Sequence, residues 1–148
     1  MIAHVLVRSA FEADAEAIAM LTRELGYPAD GGAIRERLIG LLARSDYLVT
    51  VAQCESGEIC GWLQAHSSES LETGLRVEIL GLVVASHMRR QRIGRLLVDN
   101  AEAWAAQVCA PAIVVRSNVK RDESHPFYSA LGYEKSKTQH VYRKLVLK

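Results

Sequence analysis

A mixed α/β sheet covered by helices on both faces is the fold class this sequence predicts, and three observations predict it. Helical and strand periodicities follow one another in the order strand, two helices, hairpin, then strand–helix–strand–helix–strand. The run Ile79-Leu80-Gly81-Leu82-Val83-Val84-Ala85 is apolar on both faces, as expected of an interior strand and not an edge strand. Residues 77–115 read as a βαβ crossover, which requires a parallel pair and is expected to be right-handed.

Each element has its own local reason. Val5-Leu6-Val7 is a short first strand. Ala17, Ile18, Leu21 and Leu25 form a helical stripe over residues 13–25, with Asp14 as the expected cap and Gly26-Tyr27-Pro28 as the stop. Ile34, Leu38 and Leu42 mark a second helix over residues 32–42. Residues 47–54 and 59–66 alternate as strands around the turn Glu55-Ser56-Gly57-Glu58. Residues 67–74 read as a polar loop and residues 76–85 as the most strand-like segment. Ile93, Leu96, Leu97, Ala101 and Trp104 give the inward face of a helix over residues 93–107. A buried strand over 112–116, a short helix over 125–131 stopped by Gly132, and closing strands at 133–135 and 141–146 complete the order. No repeat or linker interrupts it, so residues 1–148 are expected to form one domain.

Composition narrows the function. With 148 residues, 49% hydrophobic and 24% charged, the chain is globular and large enough for a substantial core. A net charge of +1 argues against a surface built for nucleic acid. The first ten residues do not resemble a secretory leader, and the longest apolar run is far too short for a membrane span, so a cytoplasmic location is expected. Cys54, Cys60 and Cys109 lack zinc-ligand spacing and read as reduced packing thiols. The five histidines make no ligand pattern with carboxylates, so no metal is expected.

The informative stretch is His87-Met88-Arg89-Arg90-Gln91-Arg92-Ile93-Gly94-Arg95, between the apolar strand and the helix after it. Arginines crowd the helix start, which already carries unpaired amides and the positive pole of the backbone dipole. Cations gather there to good purpose if an anion joins them, and a phosphate or pyrophosphate suits both donor sets. The chain lacks the Gly-x-x-x-x-Gly-Lys-Ser/Thr of a P-loop and the three spaced glycines of a dinucleotide fold.

Arg89-Arg90-Gln91-Arg92-Ile93-Gly94 resembles the Arg/Gln-x-x-Gly-x-Gly/Ala pyrophosphate segment of the GNAT superfamily of N-acetyltransferases. It matches at the first and last positions and carries Arg92 in place of the first glycine. The preceding Ile79-Leu80-Gly81-Leu82-Val83-Val84 is similar to that family's acetyl-CoA strand. Ser124-His125-Pro126-Phe127-Tyr128-Ser129-Ala130-Leu131-Gly132-Tyr133 is similar to its late Phe-Tyr-x-x-x-Gly-Tyr/Phe element. The likeness spans nearly the whole chain and is specific from about residue 76 onward.

The resemblance implies acetyl-CoA as co-substrate, with backbone groups of Leu82, Val83 and Val84 meeting the pantetheine arm. The pyrophosphate would lie among Arg89, Arg90, Gln91, Arg92, Ile93, Gly94 and Arg95, and Asn118 would face the cofactor. At Arg92 a negative φ is expected, since only then is a Cβ harmless. A backbone N–H near Leu82 would polarise the acetyl carbonyl. Tyr128 falls where the family has a general acid; a phenol of pKa ~10 stays protonated and can donate to a departing thiolate. Amide formation also needs a deprotonated amine, and Glu78 is the candidate base, directly or through water. It is expected on the same strand face as Leu80, Leu82 and Val84, and a carboxylate on an interior strand is costly without a purpose. The competing reading of Glu78 is a strand residue satisfied by solvent or by Arg76.

The function expected is acetyl transfer from acetyl-CoA to a primary amine of a small molecule, by direct attack in a ternary complex. The alternatives are a CoA-binding regulatory module without catalysis, or transfer to peptide lysines or N-termini. The resemblance leaves a homodimer open and gives no reason to expect nucleic-acid or membrane partners.

Overall fold

The computed structural model describes residues 4–89, 91–117 and 123–147. They fall into two compact units, Met1–Arg116 and Ser117–Lys148.

The first unit is built on a five-stranded mixed sheet in the order β1-β2-β3-β4-β5. The strands are β1 (Val5–Ser9), β2 (Tyr47–Cys54), β3 (Ile59–Ser70), β4 (Gly74–Val84) and β5 (Ile113–Val115). The first four pair antiparallel, and β5 pairs parallel to β4. Helices α1 (Ala15–Glu24) and α2 (Gly31–Leu42) cover one face, and α3 (Ile93–Gln107) the other. Ile18 of α1 and Leu38 of α2 join Val49 and Val51 of β2 in one core, with Trp62 packed against it. On the other face Gly61 has no side chain where Ile93 and Leu97 arrive: a Cβ there would sit 3.1 Å from Leu97 Cδ1 and 3.3 Å from Ile93 Cγ2. The expected mixed sheet with helices on both faces is thus the observed architecture.

Local expectations are corrected at three places: the α1 cap, residues 67–74 and the closing strands. Asp14 stands at the N-cap position of α1, but its side chain makes no capping bond there: its carboxylate accepts from the Phe11 amide at 2.7 Å and so closes the short 3-10 turn Glu12–Asp14. Arg8 of β1 donates to both oxygens of the same carboxylate, at 2.9 and 3.0 Å, which locks the first strand to the start of α1. Residues 67–74 are mostly ladder: β3 and β4 stay paired out to Ser70↔Gly74, because backbone pairing tolerates the polar side chains of an exposed hairpin end.

The second unit contains α4 (Ser124–Ala130), which ends at Gly132 with a φ of +90°. Residues 133–147 carry no strand. Alternation alone does not make one. A strand needs a ladder partner, and charges at Lys135, Lys137, Arg143 and Lys144 break the apolar runs into pieces too short to force one.

Candidate active site

The β4–β5 pairing is short. Val77, Glu78 and Ile79 face Ile113, Val114 and Val115, and the register stops there. Residues 80–84 run on with β3 on one side and, among the described residues, no ladder partner on the β5 side. Interior strands ordinarily satisfy both rows of backbone groups, so such a stretch is a place for a ligand to complete the ladder.

A β-bulge lies at the same point. Ala65 pairs with Ile79 and Gln64 with Gly81, which leaves Leu80 as the extra residue, and its side chain is 45% exposed. Directly opposed residues share a face, so the register settles where each side chain points. Ile79, Leu82 and Val84 oppose Ala65, Leu63 and Gly61 and look toward α3. Glu78 opposes His66, and Val83 opposes Trp62, on the face covered by α1 and α2. The expectation that Glu78 shares a face with Leu80, Leu82 and Val84 is therefore overturned, because one extra residue reverses the alternation. Gly81 is required here: a Cβ would come within 2.7 Å of the Trp62 ring.

Glu78 is 6% exposed. Its Oε2 accepts from Arg116 at 2.6 Å, and its Oε1 lies 3.7 Å from His66 Nε2, whose ring rests 5.5 Å from that of Tyr47. The partner is Arg116 and not Arg76. Arg116 and His66 were invisible as site residues in the sequence, since only the strand register brings them to Glu78.

Beyond Val84 the chain makes a 3-10 turn, Ser86–Met88, and Arg89 is extended (φ −66°, ψ 154°). Arg92 then stands immediately before α3 at φ 64°, ψ 16°. The expected negative φ is wrong: Arg92 keeps the left-handed conformation natural to the glycine it replaces. Ile93 is buried while Arg89, Arg92 and Arg95 are exposed, so the cations fan out around the helix start. Arg90 and Asn118 lie outside the described residues.

The turn is tethered at several points. The Ala85 amide donates to the Cys60 carbonyl at 2.8 Å, His87 Nε2 lies 3.2 Å from Glu58 Oε1, and the Ser86 amide donates to Glu24 Oε1 at 2.6 Å. The Ser86 hydrogen bond, with His87 and Arg89 close by, holds the Glu24 carboxyl below the usual carboxylate range. Sequence reading missed Glu24 because nothing in α1 marks which exposed acid reaches the turn.

In the second unit Tyr128 sits in α4 with its ring 4.9 Å from Phe127 and 5.7 Å from Tyr133, in edge-on contact with both. The motif residues thus form one aromatic cluster.

The chain matches the acetyltransferase (GNAT) family over residues 16–133. It belongs to the GNAT acetyltransferase family. An aminoalkylphosphonate N-acetyltransferase of Salmonella typhimurium is 37% identical over 82 residues, 55% of this chain. The match spans about half the length of that relative, 53%. Among solved structures, an aminoglycoside antibiotic 6'-N-acetyltransferase from Acinetobacter baumannii superposes with a TM-score of 0.85 at 19% identity, covering 97% of this chain and 99% of its own. A transcriptional regulator from Bacillus halodurans gives 0.85 at 25% identity, covering 95% and 100%. The GNAT fold expected from the arginine turn is the one observed.

Proposed function

We propose that this GNAT protein is an acetyl-CoA-dependent N-acetyltransferase that acetylates the primary amine of a small molecule by direct attack in a ternary complex. The observation that carries the reading is the coincidence of three features at one end of β4: unladdered backbone after Ile79, the arginine turn, and the start of α3.

These residues fit acetyl-CoA on two independent counts. The free edge over residues 80–84 suits an arm bearing amides, so Leu82, Val83 and Val84 would hold it by backbone hydrogen bonds. The helix start, with Gln91, Ile93 and Gly94 supplying amides and Arg89, Arg90, Arg92 and Arg95 supplying charge, suits its diphosphate. Asn118 is carried over from the resemblance as a further cofactor contact. Bound acetyl-CoA supplies an activated thioester.

Glu78 would take the proton from the amine. With Oε2 engaged by Arg116, that role falls to Oε1, directly or through one water. A backbone N–H near Leu82 would support the developing oxyanion. Tyr128 would return a proton to the leaving thiolate, the role its hydroxyl can serve as a general acid. Small amines are favoured as acceptors because the aminoalkylphosphonate and aminoglycoside enzymes to which the chain is similar bear names of that kind.

The test is acetyl-CoA turnover over a panel of small amines and peptide amines, read as released thiol. Turnover on small amines is expected. E78Q and Y128F should each lose about 10²–10⁴-fold in kcat while acetyl-CoA affinity is kept. Binding of acetyl-CoA with no acetylation of any amine would instead support a binding module, the reading favoured by the likeness to a transcriptional regulator.

A further inference from the structure

We propose that Cys54 and Cys60 are a disulfide-forming modification site that takes a hydroperoxide as oxidant and loosens the cofactor turn when oxidised. The two thiols flank the β2–β3 hairpin turn, and Cys54 Sγ lies 3.2 Å from Cys60 Sγ. Both are free thiols. A bond between them needs the sulfurs to approach to about 2.0 Å, a small local movement.

The pair is asymmetric. Cys60 is fully buried, and its thiol also faces the Ala52 carbonyl at 3.4 Å. Cys54 is half-buried and lines a cleft of about 500 Å³ together with His4, Leu6, Gln53 and Glu55. Cys54 therefore meets the oxidant first. Burial, and then the neighbouring Cys54, push the Cys60 thiol up to about 12, so the inner partner gives up its proton the more reluctantly of the two.

The chemistry balances with a hydroperoxide. The Cys54 thiol gives its proton to water, the thiolate attacks the peroxide oxygen and the O–O bond breaks; the leaving oxygen takes up that proton and departs as an alcohol (water, for hydrogen peroxide), with a sulfenic acid left on Cys54. Cys60 sulfur then attacks Cys54 sulfur, the S–O bond breaks, and water leaves carrying the Cys60 proton. Two thiols give up two electrons and two protons in all.

What makes this more than a packing contact is where Cys60 sits. The register passes from Ala52↔Gly61 to Gln53↔Ile59, so Cys60 is the extra residue of a bulge and has no opposed residue on β2. Its carbonyl holds the amide of Ala85, the residue that follows β4 before the arginine turn. Its neighbour Gly61 already has Val83 O, Leu97 and Ile93 within 3.0–3.3 Å of where a Cβ would stand, so displacement of Cys60 presses on the start of α3. The coupling to acetyl-CoA rests on the acetyltransferase reading; disulfide formation itself does not.

The experiment uses the full chain with C109S, which removes the exposed third thiol. After hydrogen peroxide, intact mass should fall by two hydrogens and return with a thiol reductant; adding C54S should leave the mass unchanged, and adding C60S should give oxygen addition at Cys54 with no loss of two hydrogens. Oxidised protein should bind acetyl-CoA about fivefold or more weakly, and amides of residues 85–97 should exchange faster. With both thiols present, oxygen addition at Cys54 without loss of the pair's hydrogens would overturn the proposal. So would a disulfide that changes neither affinity nor exchange. If the reduced protein binds no acetyl-CoA, the acetyltransferase reading is what fails, and the exchange measurement still decides the thiol pair.

Discussion

Replacing Arg92 by glycine separates what the turn needs as a shape from what it needs as charge. Arg92 stands at φ 64°, ψ 16° with its carbonyl accepting from Leu96, so the left-handed geometry is fixed by the first turn of α3. A non-glycine residue in that region costs roughly 1–2 kcal/mol. Glycine removes the penalty but gives the unfolded chain more freedom, which returns about 0.4–1 kcal/mol. The balance favours R92G by about 0.5–1 kcal/mol, or a rise in Tm of about 1–4 °C for a chain of this size. The same change removes an exposed cation from the proposed diphosphate site, and acetyl-CoA affinity should fall about two- to fivefold. R92A keeps the strained backbone and loses the charge, so it should bind weakly with no gain in Tm. Thermal unfolding and calorimetric titration with acetyl-CoA, and with acetyl-pantetheine lacking the diphosphate, read both quantities. An unchanged or lower Tm for R92G refutes the strain argument. Equal loss of affinity for both ligands refutes the assignment of the guanidinium to the diphosphate.

Three further outcomes follow from the same geometry. D14N should cost about 2 kcal/mol, since it leaves Arg8 and the Phe11 amide with a weaker acceptor on a buried group. Burial alone would push the Asp14 carboxyl up, but the Arg8 hydrogen bonds, the Phe11 amide and the Arg8 charge outweigh it and hold it below the usual range. Asp14 thus contributes stability above its unfolded pKa of about 3.9 and loses it as pH falls through the lower folded value, so D14N should flatten the acid limb of a urea-midpoint profile. G81A should cost about 1–3 kcal/mol and change the near-ultraviolet circular dichroism, because its methyl group must displace the Trp62 ring. E24A should weaken acetyl-CoA binding several-fold with little change in Tm, since it releases the Ser86 amide from a solvent-exposed tether; unchanged binding would show that the turn holds its shape without α1.

Much of the fold was legible because it rests on periodicity. The stripe Ile18, Leu21 and the stripe Ile34, Leu38 lie where 3.6-residue spacing put them, and β4, which carries the run from Ile79 to Val84, stands between β3 and β5 in the sheet. The arginine turn was legible for an electrostatic reason: cations at a helix N-terminus oppose the dipole and call for an anion. What was not legible depends on pairing. Arg116 meets Glu78 only because β5 pairs with β4 in one register, and nothing near either residue encodes that register. The alternation of residues 141–146 was readable as a strand but is not one, since a pattern states which face would be apolar and not whether a partner exists.

Two failures of sequence reasoning coincide with the site and explain each other. Period-two counting along β4 put Glu78 with Leu82 and Val84, and the Leu80 bulge separates them. A continuous ladder would hold β4 and β5 together past Ile79 and leave no free edge. A break is what turns one strand into a carboxylate facing α1 and α2, then an unladdered stretch pointing at the turn. At Arg92 the residue departs from the family's glycine while the backbone keeps the glycine's conformation. A shape maintained against its own steric cost is over-determined by its surroundings, here at least by the Leu96 amide that the Arg92 carbonyl accepts. Under the proposed cofactor reading, a diphosphate would add a second reason for the amides at the start of α3 to point at one place.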